Sequence, residues 1–287
     1  MSDISKRPRR ILLTGANGQL AADLKPALSA HEVCGVDADE LDITNRSAVL
    51  ELVGTFRPEV ILNTAAFTDV DKCESNADIA AEVNGLAPAH LVEAAASVGG
   101  RVVQISTDYV FDGTSDRPYQ VDDQPNPQSV YGHTKLAGER ALRPEDLVVR
   151  TSWLCGVQGN NILKTVVNLA ERDTPLKFVN DQVGHPTFSD DLSRVLVDLI
   201  EADAHGVMHA TNAGAVSWFE FIGEILVALG KPRELVTAIS THELDPPRPA
   251  HRPAHSVLDN SSLADFGVEA AGDFRDRLPD LMAALRS

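Results

Sequence analysis

The first half of the chain alternates short apolar runs with longer stretches of helical periodicity. The runs RILLT, EVCGVD, EVILNTAA, RVVQIST and LVVRTSW are apolar and mostly β-branched, and the segments 18–29, 45–56, 78–98 and 129–141 between them have helical spacing. Nearly continuous apolar runs are typical of parallel strands, because helices bury both faces of a parallel sheet. The order therefore predicts an α/β fold, a doubly wound parallel sheet of the Rossmann type.

The second half has a looser pattern. Helical periodicity predicts helices at about 160–172, 189–201 and 217–229, and we expect short strands in LKFVN and VMHATN. The segment Asp245–His255 contains repeated prolines, each of which removes a backbone donor and restricts its predecessor, so it is predicted to be a loop. This half should be a mixture of helices and strands.

The two patterns suggest a division into domains. We expect a dinucleotide-binding Rossmann domain over residues 1–155, to which segments near 188–212 return, and a smaller, mixed α/β substrate domain over 156–287. An extension of about eight residues at the N-terminus should be disordered.

Composition limits the partners. The 287 residues carry a net charge of −17, which argues against binding to nucleic acid or to anionic membranes, because both need clustered Lys and Arg. No apolar run reaches the length of about 20 residues that spans a bilayer, and the N-terminus lacks an apolar signal core. The three isolated cysteines, Cys34, Cys73 and Cys155, suit a reducing compartment. We expect a soluble, cytoplasmic protein.

A metal site is not predicted. His205 and His209 are four residues apart, as are His251 and His255, but Gly206 interrupts the first pair and a proline the second. Helical metal pairs need an unbroken turn to point both rings in one direction. We therefore assign no protein ligand for a metal.

A glycine-rich turn follows the first predicted strand. In TGANGQLA, Gly15 and Gly18 lie three apart, and Ala21 stands where a third glycine is often found. Glycines between a strand and a helix let the backbone approach a pyrophosphate, and the helix N-terminus supplies amide donors. The alternative is an ordinary turn that uses glycine for its positive φ. The context favours a dinucleotide cradle.

An acidic residue closes the second strand. Asp37 lies about twenty residues after the cradle, where a carboxylate can accept hydrogen bonds from an adenosine ribose. This arrangement favours NADH over NADPH, although Arg46 offers a cation for a 2′-phosphate. Asp39, Glu40 and Asp42 crowd the same region, and Asp37 could also be merely solvated, as acidic loop residues often are.

Polar and small residues end the next two strands. Ala65 and Ala66 follow the third strand and would let the chain pass close beneath a cofactor, while Ser106, Thr107 and Asp108 end the fourth. Ligands of open α/β sheets lie beyond the carboxyl ends of the strands. A capped strand end is the alternative for the polar group.

Tyr131 and Lys135 have the spacing of one helical turn in YGHTK. Residues at i and i+4 share a helix face, so both polar ends should meet at one point. A phenol has a pKa of about 10, which a neighbouring ammonium should lower. With Thr107 as a second hydroxyl, Tyr131 could then protonate a carbonyl oxygen as hydride reaches the carbon. A lone YxxxK usually marks only an exposed helix. Here it follows a glycine-rich turn and a strand that ends in Ser-Thr, and this order favours a reaction centre.

The motifs TGANGQL, STDYVF and YGHTK resemble those of the extended short-chain dehydrogenase/reductase family. AAFTDVDKCE, RTSWLCG, DQVGHPT and RPAHSVLD narrow the resemblance to members that reduce nucleotide-linked keto sugars. The resemblance implies NADH- or NADPH-dependent reduction of the 4-keto group of dTDP-6-deoxy-L-lyxo-4-hexulose to dTDP-L-rhamnose. Relatives can form homodimers, and some hold an interfacial Mg²⁺ whose ligands cannot be located in this sequence.

The resemblance also assigns residues to roles. Thr107, Tyr131 and Lys135 match the catalytic triad, and Lys135 would also hold the nicotinamide ribose. The cofactor set is Gly15, Asn17, Gly18, Gln19, Leu20, Asp37, Asp42, Ile43, Ala65, Ala66, Phe67, Tyr131 and Lys135. The substrate set is Thr68, Thr107, Asp108, Trp153 and Arg252. Asn84 matches a structural asparagine or is a helix-interior residue, and the residues expected at the domain junction are Asp181, Gln182 and Thr187.

Some assignments leave alternatives open. Trp153 would stack on a sugar ring or belong to the core, and Arg252 would bind a pyrophosphate or be an exposed loop residue. Ala21 and Phe67 depart from the family pattern. A non-catalytic regulatory subunit on this fold is the second hypothesis, which the intact triad disfavours. A nucleotide-sugar epimerase or dehydratase is the third.

Overall fold

The computed structural model of the chain describes residues 7–172 and 175–286, so the predicted disorder of residues 1–8 falls mostly outside the described residues. The strands are β1 (Arg10–Thr14), β2 (Glu32–Val36), β3 (Val60–Asn63), β4 (Arg101–Thr107), β5 (Leu147–Thr151), β6 (Leu154–Cys155), β7 (Leu176–Val179), β8 (Val183–Gly184), β9 (Thr187–Phe188), β10 (Gly206–His209), β11 (Val216–Ser217) and β12 (Val236–Ile239). The α-helices are α1 (Gln19–Ala27), α2 (Arg46–Phe56), α3 (Val70–Ser75), α4 (Ala77–Ala80), α5 (Ala87–Val98), α6 (Val130–Glu139), α7 (Ile162–Ala170), α8 (Ser189–Glu201), α9 (Trp218–Ala228) and α10 (Phe274–Arg286). A π-helical stretch, Ala81–Leu86, joins α4 to α5, and 3-10 turns lie at Asp108–Val110, Arg233–Leu235, Thr241–Glu243 and Ser261–Phe266.

Six strands form the central sheet. Their order is β10-β5-β4-β3-β1-β2, and each neighbouring pair is parallel. Thr14 pairs with Asn63 at the carboxyl ends of β1 and β3, and Thr107 pairs with Thr151 at those of β4 and β5. The predicted doubly wound parallel sheet is confirmed.

The sheet order reverses beside β1. From β1 the chain moves outward to β2 and then returns to the other side of β1 as β3. Such a reversal opens a crevice at the carboxyl ends of the two strands, which is where open α/β sheets bind ligands. Gly15 follows β1 and Thr64 follows β3, so both lie at this crevice.

Helices cover both faces of the sheet. Ile11 and Leu13 of β1 belong to a core cluster with α1 and α8, whereas Leu12 between them belongs to a cluster with α2 and α5. Successive side chains of a strand point to opposite faces, which explains the division. Each of these three residues is fully buried, which stabilises the fold by roughly 1.5–3 kcal/mol apiece.

The second half supplies a separate apolar cluster built on α7, α9 and α10. The strands predicted in LKFVN and VMHATN form as β7 and β10; β7 pairs with β12, and β10 joins the central sheet beside β5. The division into domains at residue 155 stays a prediction. Asp245–His255 forms neither a helix nor a regular strand, as predicted.

Several elements were not predicted. They are the helices α3 and α10, the strand β12, and the two-residue strands β6, β8, β9 and β11. Two-residue strands are too short to show any period in the sequence. Within residues 7–172 and 175–286, no helix is both long and apolar enough to cross a membrane.

Candidate functional site

A cavity of about 680 Å³ opens at the carboxyl ends of the sheet strands. Its walls combine the glycine turn, the ends of β3, β4 and β5, the start of α6 and loops of the second half. The lining residues are Asn17, Gly18, Gln19, Leu20, Thr64, Ala66, Thr68, Val70, Ile105, Ser106, Thr107, Asp108, Tyr109, Tyr131, Lys135, Thr151, Ser152, Trp153, Leu154, Gly159, Asn160 and Trp218. One cavity thus brings together all three residues of the predicted triad.

The glycine turn brings two backbone segments into close approach. Gly15 has φ of +70°, and a Cβ atom there would lie 2.7 Å from the amide nitrogen of Ala65. Only glycine satisfies both the left-handed conformation and the lack of space. Gly18 is the N-cap of α1 and offers no side chain to the helix, which leaves the first amides of α1 available for an anion. The turn therefore fits a dinucleotide's diphosphate.

A second cavity of about 400 Å³ lies next to the first. It shares Asn17, Gly18, Thr64 and Ala66 with the larger cavity. The remaining lining residues are Gly15, Asp37, Ala38, Leu41, Asp42, Ile43, Ala65 and Val83. The two cavities thus adjoin each other at the glycine turn.

Asp37 already holds the turn in place. Its Oδ2 accepts a hydrogen bond from the backbone nitrogen of Asn17 at 2.7 Å, and its Oδ1 accepts one from Ala38 at 2.7 Å. Arg46, the alternative partner for a 2′-phosphate, forms an ion pair with Glu93. The role of Asp37 towards a ribose stays a prediction.

The triad residues come from β4 and α6. Thr107 ends β4, and Tyr131 lies in the first turn of α6, which begins where the Ser129 side chain accepts a hydrogen bond from the Gly132 nitrogen at 3.2 Å. Lys135, one turn later, is 4% exposed, and its Nζ donates a hydrogen bond to the carbonyl oxygen of Ile105 at 2.6 Å. The helix therefore points both side chains at the end of β4.

The electrostatics differ from the sequence-based expectation. Burial raises the pKa of Tyr131, the negative charge of Asp108 raises it further, and a hydrogen bond with Thr107 opposes them. The prediction that the pKa of Tyr131 is lowered is therefore wrong, because desolvation of the phenolate outweighs any attraction to Lys135. Burial lowers the pKa of Lys135 to about 8, and Glu139 opposes this change. Near neutral pH the phenol is protonated and the amine mostly charged.

Asp108 is a buried carboxyl in the cavity wall. It is 1% exposed, and burial raises its pKa to about 6. Its Oδ1 accepts a hydrogen bond from the Thr107 hydroxyl at 3.0 Å. Asp108 and Thr107 are therefore coupled, and both face the space in which a substrate would lie.

Aromatic side chains form further parts of the cavity wall. Trp153 and Trp218 stack with ring centroids 3.8 Å apart, and Trp153 has φ of +45°, an uncommon conformation for a bulky residue. Tyr109 contacts Tyr131 edge to face at 5.5 Å. One face of the Trp153 ring is thus covered by Trp218. The sequence analysis did not identify Trp218 as a site residue. Tyr109 directly follows the STD motif, and that adjacency could have indicated it.

A loop of the second half reaches the glycine turn. Gly159 and Asn160 line the cavity, and Asn161 donates a hydrogen bond from Nδ2 to the Gln19 side-chain oxygen at 3.3 Å. These residues were also missed, since nothing in their local pattern distinguishes them from an ordinary helix cap: Asn161 caps α7.

Two residues of the predicted site lie outside both cavity linings. Arg252 forms a bidentate ion pair with Asp71, with distances of 2.7 and 2.8 Å. Phe67 has its backbone bound by Asn84, which accepts from the Phe67 nitrogen at 2.9 Å and donates to its oxygen at 3.0 Å. Asn84 is 2% exposed and so holds the loop after β3 against the π-helical stretch.

The junction candidates also lie outside both cavity linings. Asp181 and Gln182 bind the side chain of Thr241, and Gln182 accepts from the backbone of Trp218. Thr187 is buried, and its backbone nitrogen donates to Trp153. Among the described residues, no cluster of three or more His, Cys, Asp or Glu side chains is arranged to hold a metal ion.

Comparisons with known proteins agree with the family resemblance of the sequence motifs. Residues 9–287 match the family model described as the RmlD substrate binding domain. The dTDP-4-dehydrorhamnose reductase of Streptomyces griseus is 40% identical over 98% of this chain and 96% of its own length. The crystal structure of a dTDP-4-dehydrorhamnose reductase from Clostridium acetobutylicum superposes with a TM-score of 0.92 at 43% identity, covering 97% of this chain and 100% of that one.

A second solved structure contains a cofactor. The dTDP-4-dehydrorhamnose reductase of Bacillus anthracis, in complex with NADP, has a TM-score of 0.91 and 34% identity and covers 96% of this chain and 99% of that one. The similarity extends over nearly the whole length in each comparison. The chain therefore belongs to the RmlD family of dTDP-4-dehydrorhamnose reductases.

Proposed function

We propose that the chain catalyses the reduction of dTDP-4-dehydro-6-deoxy-L-mannose to dTDP-L-rhamnose with a nicotinamide cofactor. The observation that carries the proposal is that Thr107, Tyr131 and Lys135 line one cavity, which adjoins the glycine turn after β1. The names of the relatives specify the same activity. The substrate is then a nucleotide-linked keto sugar.

The proton comes from Tyr131. When bound, the reduced nicotinamide supplies a hydride to the 4-keto carbon of the sugar. As the C–O double bond becomes a single bond, the ketone oxygen gains negative charge and takes the phenolic proton of Tyr131. The raised pKa of Tyr131 keeps that proton in place until the alkoxide develops, and solvent afterwards returns a proton to the phenolate.

Thr107 and Lys135 support this transfer. The Thr107 hydroxyl, which donates to Oδ1 of Asp108 in this structure, would turn to donate its hydrogen to the ketone oxygen and so fix the distance of that oxygen from Tyr131. The Lys135 ammonium, next to the carbonyl of Ile105, would hold the hydroxyls of the nicotinamide ribose. An ammonium at this place also stabilises the phenolate that the transfer leaves behind.

The two adjoining cavities suggest how the dinucleotide is held. Gly15, Gly18 and the first amides of α1 would bind the diphosphate, and Asp37 would accept hydrogen bonds from the adenosine ribose. We propose that NADH and NADPH are both accepted, with Asp37 favouring NADH; the Bacillus anthracis relative was solved with NADP. Mg²⁺ plays no part in the proposed steps.

Further features remain proposals. Trp153 and Thr68 would contact the sugar, because both line the cavity beside Thr107. Arg252 would bind the substrate's pyrophosphate only after release from Asp71. We also propose a cytoplasmic protein that can form a homodimer. A regulatory subunit or an epimerase on the same fold is the alternative, and neither is favoured by a specific contact in the described residues.

The direct experiment is a spectrophotometric assay of the purified protein. We expect reduced nicotinamide to be consumed only when the keto sugar is supplied, here generated enzymatically from dTDP-glucose, with dTDP-L-rhamnose as product. Consumption without formation of that sugar would redirect the proposal to another nucleotide-sugar ketone. A protein that binds the cofactor but never oxidises it with this substrate would support the regulatory alternative.

A further inference from the structure

A buried ion pair lies directly behind the predicted triad. Glu139 follows Lys135 by one turn of α6 and is 9% exposed, and Arg150 of β5 is 3% exposed. The guanidinium donates to both carboxylate oxygens, from Nε at 3.0 Å and from Nη2 at 2.8 Å. This two-point geometry fixes the carboxylate in position and in orientation.

A third hydrogen bond connects the carboxylate to β4. The hydroxyl of Ser106 donates to Oε1 of Glu139. Ser106 immediately precedes Thr107, and Ile105 before it accepts the hydrogen bond from Lys135 Nζ. Glu139 therefore joins β4, β5 and α6 at one buried point, and two of these elements carry the residues of the triad.

We propose that Glu139 is a positioning residue, whose carboxylate fixes the end of β4 against α6 and keeps the Lys135 ammonium charged beside the nicotinamide ribose. The inference rests on the proposed reductase function, because it assigns Glu139 a part in that reaction. Glu139 lies outside the cavity lining and acts through Lys135, Ser106 and Thr107.

The charge of Glu139 is the part that packing does not explain. A buried Glu–Arg pair can often be replaced by apolar residues without loss of stability, so stability alone does not account for it. Lys135 loses solvation on burial, and Glu139 is the group whose charge opposes the resulting fall in the Lys135 pKa to about 8. Without that carboxylate the pKa of Lys135 would fall further, so the buried amine would lose its charge at a lower pH than it does in the wild type.

Other ionisable groups lie on the elements packed around Lys135. Tyr131 shares its helix, Arg150 and His209 lie beyond Glu139, and burial lowers the pKa of His209 to about 3, so that its ring is neutral. The groups on the remaining neighbouring elements are Asp108 and Tyr109 after β4, Asp71, Lys72, Cys73 and Glu74 on α3, Asp78 on α4, Glu82 on the π-helical stretch, His90 and Glu93 on α5 and Arg101 on β4.

The test is the pH profile of kcat for Glu139→Gln, which keeps the shape of the side chain and removes its charge. Lys135 is charged below its pKa, so kcat should fall as pH rises through that value. The substitution removes the negative charge of Glu139 and leaves the positive charge of Arg150 unpaired. Both effects disfavour the charged form of Lys135. We expect the alkaline limb to move to lower pH by about half a unit to one unit, with kcat at pH 7 lower by up to about twofold through the loss of the Lys135 charge.

Glu82→Gln is the matched control. Glu82 is exposed on the π-helical stretch that packs against α6, and its replacement makes the same change in net charge. Its pH profile should coincide with that of the wild type. Arg150→Lys should lower kcat by loosening the two-point contact while the alkaline limb stays in place, because the positive charge is retained.

The outcomes are distinguishable. A Glu139→Gln protein with lower thermal stability but an unmoved alkaline limb would make Glu139 purely structural and overturn the inference. Should that variant not fold, Ser106→Ala removes the hydrogen bond from β4 to Glu139, at a residue that also lines the cavity, and should lower kcat severalfold with unchanged KM for the cofactor; an unchanged kcat would overturn the inference equally. A wild-type protein without reductase activity would instead refute the proposed function.

Discussion

The two sides of the cavity are built in different ways. On the β4–α6 side, the polar groups are buried and joined by hydrogen bonds: Ser106 to Glu139, Thr107 to Asp108, and Lys135 to the backbone of β4. The side supplied by the second half consists of stacked tryptophans and loops.

The difference indicates that the two sides of the cavity have different functions, one in the reaction and the other in ligand recognition. A buried, hydrogen-bonded network holds reacting groups in one geometry, which is what proton transfer to a developing alkoxide requires. Aromatic faces and loops recognise a ligand by shape and can adjust to it. Changes on the first side should therefore alter kcat, and changes on the second side should alter KM for the sugar.

The largest effect should come from Tyr131→Phe. This change removes the proton donor and keeps the ring that contacts Tyr109. We expect kcat to fall by about 100-fold or more, because general acid catalysis contributes 10²–10⁴. Cofactor affinity, measured by fluorescence titration, should be nearly unchanged. If the variant retained wild-type turnover, the proton would have to come from another group and the β4–α6 side would lose its proposed role.

Gly15→Ala should have the next largest effect, on cofactor binding. The added Cβ would lie 2.7 Å from the nitrogen of Ala65, and the left-handed backbone costs roughly 1–2 kcal/mol for a non-glycine residue. We expect the cofactor Kd to rise by about tenfold or more. Gly99→Ala is the control, because Gly99 has φ of +77° but open space around it. It should lose stability while keeping its affinity for the cofactor.

Trp218→Ala should affect the sugar side alone. Removing the ring uncovers one face of Trp153 and loses a stacking contact worth about 0.5–1.5 kcal/mol. KM for the nucleotide sugar should rise by about two- to tenfold with little change in kcat. Trp218→Phe retains an aromatic surface and should stay near the wild type. An equal loss in kcat would show that the two sides of the cavity are not independent.

Asp37→Ala should have the smallest effect, a change in cofactor preference. The ratio of kcat/KM for NADPH to that for NADH should increase by about threefold, because a carboxylate no longer repels the 2′-phosphate. Asp39→Ala removes the same charge from an exposed neighbour and should leave the ratio unchanged. Equal losses with both cofactors would mean that Asp37 serves the glycine turn through its bond to Asn17.

Local patterns predicted the β4–α6 side well. Glycine spacing, the strand-end hydroxyls and the i, i+4 relation of Tyr131 and Lys135 are each visible within a few residues, because strand and helix geometry fixes which side chains share a direction. The same patterns predicted the central strands and their helices. They could not give the direction of the Tyr131 pKa shift, since that depends on burial by the whole fold.

Contacts between distant segments escaped prediction. The stacking of Trp153 on Trp218 and the pairing of Arg252 with Asp71 join residues far apart in the chain, and no periodicity relates them. Arg150 and Glu139 are closer in sequence, but they lie on different elements that meet only when β5 joins the sheet. Side chains that complete a site through such contacts carry no local signal.

The position of β10 has a consequence for synthesis of the chain on the ribosome. This strand, Gly206–His209, pairs with the outer edge of β5, yet it is translated long after β5 has emerged. Until then the nascent protein presents an unpaired row of backbone amides and carbonyls, a template for aggregation. Chains cut short before residue 206 keep that edge open, so a stable fragment of the cofactor-binding half should require the later strand to be supplied.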